Sequence, residues 1–294
     1  MLRLASVASV LTIFDSQRPR SGIGSLLAVL FAVAAPIEAA ANPPQAAAPI
    51  EITGQYTIHF NGFNIGDVRL EQRLGASTYS ASSDVTISAL LGAFHWKGMT
   101  RASGTLSKAS VLPSGYDFRF SGSANSGAVR INFDDAGVSE LEALPVQPDP
   151  PDFVPLRRPH IKGVVDPLSA LVSLTRPLKG HPCGRKLALF DGKQRFDVAL
   201  QPIETSAPNS AAGNGGESIV CRIRYTPIAG YRNTVETRSL AENDGMQVAF
   251  RHVPRAQVWV AQRVTLPTLA GSVTIEAQRI DISSASGPEV ALAE

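Results

Sequence analysis

Two cysteines, two tryptophans, three methionines and five histidines are all that the 294 residues hold of these types. Two cysteines cannot supply the four N/S ligands of a structural zinc site. The histidines, His59, His95, His160, His181 and His252, form no His-x-His pair and no HExxH motif, so no metal and no cofactor is expected. Charge is sparse, with 18% charged residues and a net of +2. The clustered basic face that phosphate-backbone binding needs is missing, which disfavours nucleic acid as a partner. No Gly-x-Ser-x-Gly elbow, Walker loop or GxGxxG occurs, and "GNGG" (213–216) lies outside any strand–helix context. No enzyme activity is expected.

Long apolar runs are missing too. The longest, "IGSLLAVLFAVAA" (23–35), follows Arg18 and Arg20 and precedes "PIEAAANPPQAAAP". It falls short of the ~20 residues that span a bilayer. A basic flank, a short apolar stretch and small residues at Ala39 and Ala41 are the parts of a secretory signal. The expectation is a signal peptide over 1–41, a flexible leader over 42–50, and a mature chain with no stable membrane span. No cysteine near that point offers a lipid attachment. In a Gram-negative cell such a chain is left soluble in the periplasm.

What the sequence does have is alternation. "EITGQYTIHF" sets Ile52, Gly54, Tyr56, Ile58 and Phe60 on one parity against Thr53, Gln55, Thr57 and His59. That period of two marks a half-buried strand. Asn61-Gly62 supplies turn chemistry, and further strand-like runs follow at close spacing up to Asp135. This reads as an antiparallel meander rather than a βαβ alternation. Seven prolines between Pro145 and Pro167 exclude a sheet interior there. The stretch 145–167 is expected to be a loop crossing the open face of the sheet. Asp166-Pro167 then opens a short helix with Leu168, Leu171, Val172 and Thr175 on one face, ended by Pro177. Strands resume through an Asp-Gly hairpin at Asp191-Gly192, a small-residue loop at 205–218 that looks flexible, and four more runs. One β-rich domain is expected over 51–283, with a frayed tail over 284–294.

Three groups invite a functional reading. His181-Pro182-Cys183 offers a thiolate beside an imidazole, but no orienting carboxylate is nearby. An exported chain with two mature cysteines favours a Cys183–Cys221 disulfide, which the chain-entropy model values at about 3–4 kcal/mol. Asp191 and Asp197 read as solvated outer positions of a hairpin. The aromatics Phe94, Trp96, Phe118, Phe120 and Trp259 alternate with polar residues. They are candidates to line a cavity for an apolar ligand, and plain core is the equal alternative.

The segments "YTIHFNGFNIGDVRLE", "VDPLSALVSL", "CGRKLALFDGKQRFDVAL" and "CRIRYTPIAGY" resemble an exported bacterial family catalogued as domain of unknown function 3108, from about Glu51 to Ile282. The fold implied by that resemblance is similar to the periplasmic lipoprotein carriers. It is a mainly β, strongly curved antiparallel sheet forming an unclosed half-barrel, with one or two short helices as a lid. The family has no catalytic set to carry over. Two expectations follow: a lipid or other apolar ligand held in the concave sheet, or a protein of the cell envelope that meets a partner through a sheet edge or the proline-rich segment.

Overall fold

The computed structural model describes residues 48–89, 94–107, 110–146, 149–176, 181–203, 217–285 and 287–293. The expected signal segment over 1–41 and most of the loop over 205–218 lie outside these residues. Alternating apolar and polar side chains drive the chain into one large antiparallel sheet, as the spacing predicts. Its first half is an uninterrupted meander: β1 (Ile50–Phe60), β2 (Phe63–Leu74), β3 (Thr78–Ala89), β4 (Phe94–Leu106), β5 (Val111–Gly122), β6 (Ser126–Asp134) and β7 (Gly137–Leu144). Each strand pairs with the next, so local turns alone set the order.

The second half holds β9 (Lys186–Phe190), β10 (Arg195–Pro202), β11 (Ser218–Ala229), β13 (Gln247–Val253), β14 (Val258–Thr268) and β15 (Gly271–Ser284). The two halves join through β1 and β15, which pair from Glu51↔Ser283 to Phe60↔Val273. The strand order therefore runs from β7 at one end, through β1 and β15, to β9 at the other. A small ribbon pairs β8 (Phe153–Val154) with β12 (Tyr231–Arg232).

The seam between β7 and β9 is not closed by pairing those strands. One short stretch of chain reaches both: Lys162 bridges Gly137 at the start of β7, and Val165 bridges Leu189 on β9. Val165 donates its N–H to Ala188 O (2.9 Å), and Phe190 donates to Val165 O (3.0 Å). The proline-rich connection thus ends in a stitch across the opening.

Helix α1 (Pro167–Thr175) starts as its sequence predicts. Asp166 caps it by accepting from the backbone N–H of Leu168 (3.0 Å) and Ser169 (2.9 Å), a device that contributes about 1 kcal/mol. The expected single apolar face is too modest a description. Leu168, Ser169, Ala170, Val172, Ser173, Leu174 and Thr175 are all buried, so α1 is a plug inside the curved sheet. Leu168 and Val172 join a core with Ile131, Phe190, Val258 and Ile280. Ala170 and Leu174 join a second core with Cys183, Cys221, Phe250 and Trp259.

The second of the one or two expected helices had no position assigned from the sequence, and the tail departs from its reading. Thr234 caps a second helix, α2 (Val235–Glu242), by accepting from Thr237 N–H, and no α2 residue is buried. With no buried face it left no apolar periodicity to find. The tail over 284–294 is not frayed as expected: β16 (Gly287–Ala293) pairs with the second half of β15, from Ser284↔Gly287 to Arg279↔Ala293. β14 pairs with β15 only over Gly271–Glu276, so the remaining backbone groups of β15 are open to a further strand. That need for hydrogen-bond partners orders the tail.

Candidate functional site

The two faces of the meander differ in chemistry. Register sets Ile52, Gln72, Ala81, Ala102, Tyr116 and Ile131 in one cross-strand row. All six are buried beneath α1 or its neighbours. The next row on that face runs Gly54, Leu70, Ser83, Thr100, Phe118 and Val129, and the one beyond it runs Tyr56, Val68, Val85, Gly98, Phe120 and Gly127. Leu70, Val68, Val85, Phe118, Phe120 and Val129 are only half-buried. The inner face is thus sealed near α1 and partly open farther along β2–β6.

Aromatic rings cover this open part. Phe118 and Phe120 stack at 5.5 Å, and Trp96 lies 6.2 Å from Phe120 and 6.4 Å from Phe118. Glycines explain how the rings lie down. A Cβ on Gly98 would sit 2.4 Å from the Trp96 ring, and one on Gly127 would sit 2.7 Å from the Phe120 ring. The same arrangement recurs deeper, where Tyr56 lies over Gly54 and Tyr79 over Gly104. A ring flat on a glycine shields bare backbone and leaves a smooth apolar surface.

The candidate residues named from sequence do not all meet. Trp96, Phe118 and Phe120 form one cluster. Phe94 stands at the start of β4, opposite Ala89, and is 37% exposed. Trp259 is 5% exposed and packs in the second core, its ring 4.9 Å from that of His252. Trp259 belongs to the far half of the sheet because β14 lies on the other side of the β1–β15 joint. Leu70, Val68, Val85 and Val129 were missed as lining. The available signal was the Trp-x-Gly spacing of Trp96 and Gly98, which sets ring and glycine on one strand face.

The opposite face of the meander is polar. It carries a trough of about 740 Å³, with Ser80, Ser82 and Ser103 between charged banks that include Arg73 and Arg101. Arg73 pairs with Glu51 at 2.7 Å, and Arg130 pairs with Asp117 at 3.3 Å. Exposed pairs of this kind contribute little to stability.

A polar group also sits inside the sheet. Asp166 is fully buried and accepts from Ser169 Oγ, and Ser169 Oγ lies 2.5 Å from Tyr79 Oη. Burial pushes the Asp166 carboxyl up, against three hydrogen bonds that favour its charged form. Asp191 corrects the solvated reading given to it above. Its carboxylate turns back to accept from Lys193 N–H (2.8 Å) and Gln194 N–H (2.6 Å), and burial pushes it up as well. The charges of Asp166 and Asp191 both raise Tyr116, after burial. Asp197 stays ionised below its ordinary range. Burial opposes this, but Arg195 at 2.6 Å and Lys186 at 3.1 Å outweigh it.

Cys183 and Cys221 form a disulfide with Cα atoms 5.4 Å apart. It ties the segment before β9 to β11 inside the second core, and the thiolate reading of Cys183 falls with it. No cluster of three His, Cys, Asp or Glu side chains placed to hold a metal occurs among the described residues. No helix among them is long and apolar enough to cross a membrane.

The family model described as "Protein of unknown function (DUF3108)" matches residues 55–278. Among solved structures, the chain is similar to one titled "Crystal Structure of Beta-barrel-like Protein of Domain of Unknown Function DUF1849 from Brucella abortus". The two share 9% identity and a TM-score of 0.45, over 81% of this chain and 98% of that chain. No curated protein matches in sequence.

Proposed function

The chain belongs to the DUF3108 family, and from that footing we propose that it is an exported binding protein rather than an enzyme. Its ligand is a single apolar chain, such as a lipid acyl group, laid along the open inner face of β2–β6. One observation carries this reading: Trp96, Phe118 and Phe120 form a contiguous half-buried surface with apolar neighbours. Small-ligand sites are concave and mostly apolar, with few polar groups. Contiguous apolar surface left partly accessible is a common mark of a binding groove. The signal-like segment supports export, and the disulfide agrees with an oxidising compartment.

The direct experiment is native mass spectrometry of protein purified from its host, followed by titration with a fluorescent acyl probe. Replacing Trp259 by Phe leaves Trp96 as the sole indole, and its emission is expected to shift to the blue as probe binds. Trp96→Ala is expected to weaken probe binding roughly ten- to a hundredfold, the range for losing one buried aromatic contact. Protein that carries no lipid and leaves Trp96 emission unmoved by acyl probes would sink the reading.

A further inference from the structure

The two ends of the strand order are treated differently. At β9 the backbone is met by Val165, through the two hydrogen bonds given above. At β7 the corresponding contact stops at its first residue, where Gly137 bridges Lys162. Residues 139–144 of β7 are then exposed in an unbroken run. No strand, bridge or loop among the described residues pairs with their free edge. In an antiparallel sheet, alternate residues of an edge strand point N–H and C=O away from the sheet, ready for another strand.

Edge strands are normally guarded by charged side chains, lysine above all, or by proline, a bulge, a covering loop or extreme shortness. β7 has no lysine or proline between Gly137 and Leu144. Its side chains alternate: Glu140 and Glu142 stand on the outer face, while Leu141 continues the inner row of Tyr116 and Ile131. Leu141 is 39% exposed. Glu140 accepts from Asn132 Nδ2 at 2.7 Å, and Glu142 lies 3.8 Å from an Arg130 already engaged by Asp117. Both glutamates therefore keep charge to offer a neighbour. A second copy paired antiparallel about Leu141 would set Glu140 directly against Glu142 twice, and like charges in that position repel.

We propose that the β7 edge takes an extended segment of a partner protein in which basic and apolar residues alternate. The segment adds as one more strand. Its basic side chains face Glu140 and Glu142 on the outer face, and its apolar side chains cover Leu141 and Ala143 on the inner face. Main-chain hydrogen bonds supply affinity and the alternating side chains supply selection. This site is separate from the acyl-binding reading, which involves β2–β6, so either stands without the other.

The probe is a capped Lys-Val-Lys-Val-Lys-Val peptide, with Glu-Val-Glu-Val-Glu-Val as its mirror in charge. Affinity is read by fluorescence anisotropy up to about 1 mM, and the contact by amide hydrogen exchange. The basic peptide is expected to bind and to slow exchange at alternate residues of 138–144. Glu140→Lys with Glu142→Lys is expected to weaken it at least about tenfold and to turn preference toward the acidic peptide. Glu140→Gln with Glu142→Gln, which barely perturbs folding, is expected to fall between. Four results overturn the proposal: no binding, binding untouched by charge reversal, protection confined to other strands, or a dimer of the chain formed through β7 without peptide.

Discussion

The meander β1–β7 and the strands from β9 to β15 obey the same alternation, yet one half is left partly open inside and the other is filled. In the second half Phe190, Phe250 and Val258 are almost wholly buried, and the disulfide shares a core with Phe250. In the first half Phe118 and Phe120 occupy equivalent inward positions and stay half-exposed. The difference lies in what covers each half. The second has α1 and the Cys183 segment packed into it, whereas the first has α1 only over its Tyr79–Tyr116 end. Glycines beneath its rings then let the aromatics lie flat instead of reaching inward. A period of two dictates which face is apolar. Coverage decides whether that face becomes core or site.

The comparison can be broken at several points. Phe190→Ala should cost about 3–5 kcal/mol, as fully buried aromatics do, while Phe120→Ala should cost only about 1–2. Equal losses by urea denaturation would erase the distinction between filled and open halves. Replacing Cys183 and Cys221 by serine should lower stability by about 3–4 kcal/mol. Hydrogen exchange should then report the loss first in β9–β11 and leave β2–β6 protected. Gly98→Ala should be milder, near 1 kcal/mol or below. Its added methyl meets the Trp96 ring, so the expected sign is a shift in Trp96 emission and weaker acyl-probe binding.

The smallest effect is a dependence on pH. Asp166 and Asp191 hold their protons in the folded chain above the ordinary carboxylate value of 3.8. Over that window the folded state binds more protons than the unfolded one, so these two groups lower stability as pH rises through it. Asp166→Asn and Asp191→Asn keep an acceptor oxygen for the backbone N–H groups. The difference between variant and parent should therefore move in the variant's favour as pH climbs above 3.8, then level off. A difference that is flat across this range would mean both carboxyls titrate normally.

Much of the frame was legible because it rests on short-range rules. Strand parity from Ile52 to Phe60, the Asp166–Pro167 start and the Asp191–Gly192 hairpin are each set within a few residues. The disulfide was legible from the expected compartment and the cysteine count. The candidate site was legible only in part. Trp96, Phe118 and Phe120 lie on neighbouring strands of one meander, so local turns bring them together. Trp259 carries the same alternating signature, but a joint between β1 and β15 separates it from them, and no local pattern encodes that joint.

That same joint has a kinetic consequence. Glu51 opposes Ser283, so the first of the described strands waits for nearly the last. Every other neighbour in the meander is a hairpin that closes within a few residues. A chain delivered from its N-terminus can assemble β1–β7 early, but β1 keeps one bare edge until β15 emerges. Pairing across so long a separation is slow to form. The unfinished meander is therefore the species most exposed to mispairing, and a helper that shields β1 would act on that interval rather than on the finished fold.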